Sequence, residues 1–487
     1  MSTSALIDAT FKTTPYFHQY KEFEISAELE VRALLWQMRT GKTKLIIDTA
    51  CHLFSVQKID TVLVLAPNGV HENWVQRELP VHSWEPYQAQ YWRTKEAKFP
   101  AFYDRFNNVL EYDGLSWFTY ASETVTREDV RKCIAQIIKK RKSVMLVVDE
   151  CDDYGSPSAK KTSMVRALAT RCSYRRILTG TVAENSPLRV YSQFELLKPQ
   201  ALGFKTYESF KRRYSRHQWV RGKTRGFSKC LGYSRLDELR DRMASYSSVV
   251  LRSECEDMPG LTYITRRVEM SEKQKQVYAD LVIKFTTLLD KEVSIGENTN
   301  RLMKLQQVGS GFLIDEFQQV HMLEKANPRL DALVHEVTLT GGRNIIWCAF
   351  RRDIDLVSEA LRKEGRKVLG YHGRSSADEK AAARVDFAPN GTGEYDDIVG
   401  HPKSGGRGLN LSGADKIIWY SHTFDAMLRN QANERATHMG GKNVIIVDLV
   451  STPTDQYILD KVADKVNIAE NLAREGLREV LNYGNRN

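Results

Sequence analysis

The sequence predicts two tandem α/β lobes, each built on a parallel sheet covered on both faces. Two observations carry the prediction. Short, near-continuous apolar runs alternate with amphipathic stretches, as expected of strands buried on both sides by helices. The runs also fall into two groups, separated by a basic stretch that has none. In the first group "RALLW" (32–36), "TVLVLA" (61–66), "SVMLVVD" (143–149) and "RRILTG" (175–180) each end in a polar or glycine-containing loop. In the second, "NIIWCAF" (344–350), "KVLGYH" (367–372), "KIIWY" (416–420) and "NVIIVDLV" (443–450) repeat the arrangement. Helices on both faces of each sheet are the natural layering for such a chain.

Between the groups, residues 201–250 hold twelve Lys/Arg against four Asp/Glu, a net +8 in a chain whose whole formal charge is +10. No strand pattern is read there. The charge of the stretch fits a polyanionic partner, nucleic acid first, and equally a solvated helical face. "SECEDMPGLT" (253–262) has the Pro-Gly punctuation of a linker. The expected organisation is therefore a first lobe over 1–200, a basic helical protrusion and linker over 201–255, and a second lobe over 256–487. The apolar spacing of "TDQYILDKVADKVNIAENLAREGLREVL" (454–481) predicts a terminal helix packed back on the lobes.

Composition narrows the class. Of the 487 residues, 42% are apolar and 27% charged, the balance of a folded globular protein. Seven cysteines, odd in number and without C-x-x-C spacing, argue against a zinc site or a disulfide framework and fit a reducing cytoplasm. No apolar run approaches the ~18 residues of a membrane span, so the expectation is a soluble cytoplasmic protein with no membrane partner.

Two stretches carry chemistry. "WQMRTGKTK" (36–44) ends like the phosphate-binding pattern G-x-x-x-x-G-K-[ST] but has Trp36 where the first glycine belongs. It follows a strand candidate and opens onto "KLIIDTACHLF", the strand–turn–helix context such a loop needs. Alone, the tripeptide is equally a chance match. If real, Lys42 neutralises phosphate charge and the Thr43 hydroxyl reaches Mg²⁺. "VMLVVDECDD" places Asp149 and Glu150 at the end of a buried strand, where α/β sheets bind ligands. One carboxylate can hold Mg²⁺ and the other can polarise an attacking water.

Taken in order, these and further motifs resemble superfamily 2 helicases and translocases, in particular the Swi/Snf-type branch. "FHQY" (17–20) resembles the Q-motif, and "LVLAPNGVHENWVQREL" (63–79) resembles motif Ia. "DECD" (149–152) matches the D-E-x-D/H box. "LTGTVAENSPLRVYSQFELLKP" (178–199) resembles motif III, with Val182 in place of proline. "FKRRY" (210–214) and "VVLRSECEDMPGL" (249–261) follow the family's order. In the second half, "NIIWCAFRRDIDLVSEAL" (344–361) resembles motif IV, and "YHGRSSADEKAAARVDF" (371–387) resembles the G-x-[ST]-x-x-x-[KR] segment. "SGGRGLNL" (404–411) resembles motif V, and "QANERATHMGG" (431–441) resembles motif VI. In this family the loop's first position is often not glycine. Arg39, however, replaces the glycine that members usually carry there.

The resemblance implies two RecA-like lobes and an ATP-driven DNA translocase or helicase acting on duplex or branched DNA. ATP would be held by Gln19, Met38, Arg39, Thr40, Gly41, Lys42, Thr43 and Lys44, with Gln19 reading the adenine edge. Mg²⁺ would sit on Thr43 and Asp149, and Glu150 would deprotonate the water. Gln431 and Arg435 of motif VI would complete the site from the second lobe on closure. The motif's usual second arginine is His438 here, and Arg407 is a candidate substitute, though it reads equally as a surface-loop residue. Nucleic acid would be gripped by Pro67, Asn68, Thr179 and Gly180, by Lys211, Arg212, Arg213, Arg221, Lys223 and Arg225 of the insertion, and by His372, Gly373, Ser404, Gly405 and Asn410. A monomeric motor of phage or prokaryotic type is implied by analogy. An RNA helicase and a non-hydrolysing ATP-gated clamp are the rival readings.

Overall fold

The computed structural model describes residues 11–463 apart from 181–185, 221–226, 256–259, 288–294, 390, 405–410, 424, 438–440 and 461. The chain divides into two compact units, the first running to Glu256 and the second spanning Asp257–Lys465. Each is an α/β unit on a parallel sheet.

In the first unit the strands are β1 (Val31–Trp36), β2 (Thr61–Ala66), β3 (Tyr87–Tyr91), β4 (Leu115–Ala121), β5 (Val144–Val148) and β6 (Tyr174–Thr179). Two more, β7 (Ser215–Val220) and β8 (Phe227–Tyr233), form an antiparallel ribbon, and β9 (Ser247–Val250) returns to the sheet. The sheet order is β3-β4-β2-β5-β6-β1-β9, and every pairing in it is parallel. The four apolar runs read from the sequence are its centre. Successive side chains of a strand point to opposite faces, so Ala33 and Leu35 enter one apolar cluster while Leu34 and Trp36 enter the other. In β2, Leu63 and Leu65 likewise oppose Val62, Val64 and Ala66.

The insertion differs from expectation. Residues 201–255 are not all helical: between the helices Tyr207–Tyr214 and Leu236–Ala244 the chain makes the β7–β8 ribbon. Its strands, "SRHQWV" and "FSKCLGY", mix apolar residues with polar ones and carry no continuous apolar run. A search for continuous apolar runs finds strands buried on both faces and passes over such a ribbon. The stretch is also built into the first unit, because Phe210 and Tyr214 are buried in its core beside Tyr191 and Phe204.

In the second unit, β10 (Leu261–Arg267) precedes a two-stranded antiparallel pair, β11 (Phe312–Ile314) and β12 (Val320–Met322). The sheet continues with β13 (Asn344–Trp347), β14 (Val368–Tyr371), β15 (Asp397–Gly400), β16 (Lys416–Trp419) and β17 (Val444–Val450). Its order is β10-β17-β16-β13-β15-β14, again parallel throughout. Ile345 and Trp347 face one cluster, and Ile346 and Cys348 face the other. Most of the expected terminal helix over 454–481 lies outside the described residues. No helix among the described residues is long and apolar enough to cross a membrane.

Candidate functional site

Ligands of parallel α/β sheets bind beyond the carboxyl ends of the strands. In the first unit the loops after β1, β2, β5 and β6 all leave the sheet at that edge, and these are the loops singled out from the sequence. Trp36 explains the missing glycine. It is the last residue of β1, fully buried, with its indole N–H donated to Ser248 Oγ at 2.8 Å. The turn begins only at Gln37, so no glycine is needed before it. Two later positions do turn left-handed: Arg39 at φ +66° and Gly41 at φ +81°. A Cβ on Gly41 would meet Gln19 Nε2 at 1.9 Å, so conformation and space both demand glycine there.

The resemblance leads one to expect glycine where Arg39 stands, and the left-handed backbone there gives that expectation a physical reason. A left-handed conformation costs an ordinary residue about 1 kcal/mol. Arg39→Gly is therefore expected to keep the loop path and leave stability unchanged or raise it by a few tenths to about 1 kcal/mol, read from the urea midpoint. A loss of stability would show that the Arg39 side chain contributes more than its backbone costs.

The helix Lys42–Ser55 starts at the loop's end, and Lys42 Nζ donates to the carbonyls of Trp36 (2.7 Å) and Gln37 (3.2 Å). Thr43 is half-buried in the first turn. Three expected ATP contacts do other work. Gln19 is 1% exposed, and both ends of its amide are committed: Nε2 donates to Gly41 O at 3.1 Å and Oε1 accepts from Tyr16 N–H at 2.9 Å. Its amide buttresses the loop, filling the space that side-chain-free Gly41 leaves. Lys44 points into the interior, paired with Asp48 at 2.6 Å. Burial outweighs that lysine and pushes the Asp48 carboxyl up to about 6. Thr40 is fully buried, its hydroxyl donated to Gln37 O at 2.7 Å. Met38 lies against Gly180, where a Cβ would come 2.6 Å from its Cγ.

The acidic loop stands beside this one. Asp149 accepts from Trp74 Nε1–H at 3.2 Å and from the Glu150 N–H at 3.0 Å. Burial raises its carboxyl well above the usual range; the Glu150 carboxylate raises it further and the Lys42 ammonium opposes the rise. Glu150 adopts φ +50°, and its buried Oε2 has no hydrogen-bond partner among the described residues. Buried Asp149 beside half-buried Glu150, whose backbone is strained and whose Oε2 is orphaned, gives a cluster of hard oxygen donors, so the residues present fit Mg²⁺, which Asp149 and Thr43 would hold. Because Asp149 is raised in the folded state, its ionised form costs stability at every pH above the unfolded value of about 3.9. Asp149→Asn removes that cost but leaves Trp74 Nε1–H or Glu150 N–H facing an amide NH₂, so it should abolish catalysis with little net change in Tm at pH 7, as scanning calorimetry beside an ATPase assay would read.

The third acid of the box, Asp152, is structural. It accepts from Thr179 Oγ1–H at 2.7 Å and from Gln193 Nε2–H at 3.3 Å, and its carbonyl accepts from Arg189. Thr179, expected as a nucleic-acid contact, is fully buried, and its hydroxyl ties the β6 loop to the acidic loop.

Among the other expected nucleic-acid contacts, Pro67 is buried at the end of β2 and Asn68 beside it is exposed. Arg212 and Arg213 are exposed and Lys211 is half-buried; Arg213 is already paired with Glu238 at 2.6 Å. Arg221, Lys223 and Arg225 lie outside the described residues. In the second unit Gly373 is exposed and His372 half-buried, with burial and then Arg374 holding the imidazole below its ordinary value. Ser404 is half-buried, whereas Gly405, Arg407, Asn410 and His438 lie outside the described residues.

Gln431 and Arg435 are buried at the end of the helix Ala426–Asn433. That helix is anchored by a bidentate Arg429–Asp448 pair (2.6 and 2.7 Å) and by Trp419 Nε1–H on Asn433 at 2.8 Å. Trp74, Arg429 and Asn433 are positioning residues that no sequence motif flagged individually. Only their buried polar contacts reveal them.

Two family profiles match the chain: an SNF2-related domain over residues 29–311 and a helicase conserved C-terminal domain over 328–440. The chain is similar to the TATA-binding protein-associated factor MOT1 of Saccharomyces cerevisiae, 23% identical across 72% of this chain and 21% of that protein. It is similar to the transcription regulatory protein SNF2 of the same yeast, 22% identical across 90% of this chain and 26% of that protein. A probable ATP-dependent DNA helicase, CHR12, of Arabidopsis thaliana is 22% identical across 91% of this chain and 40% of its own length. The chain thus spans well under half of each of these relatives. The solved Sulfolobus solfataricus SWI2/SNF2 ATPase core in complex with dsDNA matches at 18% identity and a TM-score of 0.42, covering 96% of this chain and 94% of that one.

Proposed function

The chain belongs to the SNF2-related family of helicase-like ATPases, and on that premise we propose that it is an ATP-driven motor that tracks duplex or branched DNA. The observation that carries the reading is the meeting of Lys42 and the acidic pair at one sheet edge, close enough for the ammonium to act on the Asp149 carboxyl. A phosphate-neutralising cation beside a metal-holding acid and a second acid is the set that phosphoryl transfer to water needs.

In this reading Lys42 turns from the Trp36 and Gln37 carbonyls to the phosphates of ATP. Mg²⁺, held by Asp149 and Thr43, supplies charge neutralisation of the phosphates. Glu150 orients a water and takes its proton, its left-handed backbone aiming the carboxylate out of the strand line. Trp74 Nε1–H holds the Asp149 carboxylate in place. Arg435 and Gln431 supply the remaining charge and hydrogen bonding to the γ-phosphate. Asn68, with Lys211 and Arg212, holds the phosphates of the nucleic acid without reading bases.

The experiment is a comparison of triplex displacement, which reads movement along duplex DNA, with unwinding of forked DNA. ATP-dependent triplex displacement supports the translocase form, and unwinding the helicase form. Neither, beside active hydrolysis, would remove DNA tracking from the reading.

The basic stretch around residues 221–225 offers a further test. Reversing Arg221, Lys223 and Arg225 to Glu is expected to weaken DNA binding and lower the slope of log affinity against log salt by about 1 to 3. ATP affinity should stay unchanged. An unaltered slope would return this segment to a solvated surface role.

A further inference from the structure

The contacts around Gln37 and His18 do more than shape the loop. Resting on the ATP reading above, we propose that residues 247–255, the segment by which the chain leaves the first unit, form a lever latched to the phosphate loop and released by nucleotide.

The latch is continuous. β9 pairs with β1 from Ala33↔Ser247 to Trp36↔Val250, and the ladder runs on into the loop, where Gln37 N–H donates to Val250 O at 2.9 Å. The Gln37 side-chain oxygen then accepts from Arg252 N–H at 2.7 Å, and Trp36 holds Ser248. His18 closes the far end. Its Nε2 lies 2.8 Å from the Thr40 carbonyl, which can only accept, so that nitrogen carries the hydrogen. Nδ1 is then an acceptor 3.8 Å from Cys255 Sγ, whose single hydrogen also has the Leu251 carbonyl as acceptor at 3.5 Å. One residue later the first unit ends, at Glu256.

The two residues that hold this segment are also held by Lys42, through different atoms. Its ammonium is donated to the carbonyls of Trp36 and Gln37, the two residues that grip β9 and Arg252. An ammonium turned toward phosphate oxygens leaves those carbonyls. A loop whose N–H groups turn toward phosphates also withdraws the Thr40 carbonyl from His18. Both changes loosen the segment from the loop side, and the signal reaches the start of the inter-unit connection along bonded neighbours. Gln37 and His18 act through the segment and are positioning residues.

Cys255 is a built-in reporter. It is buried, so alkylation requires local opening. Cys230 is the exposed cysteine of the seven, and Cys230→Ser removes the competing site. The test is peptide-resolved alkylation of Cys255 by iodoacetamide in that variant, with and without a non-hydrolysable ATP analogue and Mg²⁺; binding of the analogue is followed separately by fluorescence. The expected result is a rate about threefold or more higher with the analogue bound. Gln37→Leu should react fast in both states, whereas a residue with a merely structural role would shift the baseline and keep the nucleotide dependence. Bound analogue with no change in the Cys255 rate overturns this inference alone. Failure of the analogue to bind overturns the ATP reading and this inference with it.

Discussion

Lys42→Ala and Glu150→Gln are each expected to abolish nucleic-acid-stimulated ATP hydrolysis, with a loss of about a thousandfold or more in kcat/KM. They should differ in binding. Lys42 carries the charge that meets the phosphates, so its removal weakens ATP affinity. Glu150→Gln keeps the shape of the site, and it relieves Asp149 of the neighbouring charge that raises its carboxyl. ATP affinity in that variant should be retained, with bound nucleotide accumulating unhydrolysed. Equilibrium binding beside steady-state hydrolysis separates the two. Turnover within threefold of wild type in either variant would remove that residue from the catalytic set.

The second large effect belongs to motif VI. An arginine offers the γ-phosphate a fixed, permanently charged fork worth on the order of a thousandfold in rate. Arg435 is buried, beside a helix locked by the Arg429–Asp448 and Asn433–Trp419 contacts, so its position is fixed from two sides. A histidine is shorter and, with an ordinary value near 6.5, mostly neutral at cellular pH. Arg435→Ala is therefore expected to remove activity and Arg407→Ala to cost at least about tenfold, or about 1.4 kcal/mol in the barrier. His438→Ala should cost much less. The reading is kcat for the three variants at saturating ATP and DNA, and a His438→Ala loss equal to that of Arg435→Ala would make the histidine catalytic.

The sequence disclosed the strands whose apolar runs are long and buried on both faces, and it disclosed Lys42, Asp149 and Glu150, whose chemistry is written in contiguous motifs. It hid strands of other kinds. β4 (Leu115–Ala121) is fully buried, but Ser116 and Thr119 interrupt its apolar run, and β3 and β10 are edge strands with polar or exposed positions. β15 offers little more than Ile398 and Val399. In the site, what a motif cannot state is where a side chain points. Gln19 and Lys44 stand in the expected places along the chain, yet one turns onto Gly41 and the other inward to Asp48. Thr179 turns to Asp152 for the same reason: a buried carboxylate needs donors, and the nearest are in the neighbouring strand-end loop. Long-range partners such as Trp74 with Asp149, or Gln37 with Arg252, exist only once the sheet is assembled.

The measurement closest to the central claim is the steady-state rate of ATP hydrolysis by the full chain, with Mg²⁺, without nucleic acid and with single-stranded DNA, duplex DNA, forked DNA and RNA. The account predicts slow hydrolysis alone and strong stimulation by duplex or forked DNA, lost in Lys42→Ala. Stimulation by RNA and not by DNA would contradict the DNA-motor reading in favour of an RNA helicase. Bound ATP with no hydrolysis on any of the four would contradict the motor altogether and leave a nucleotide-gated clamp.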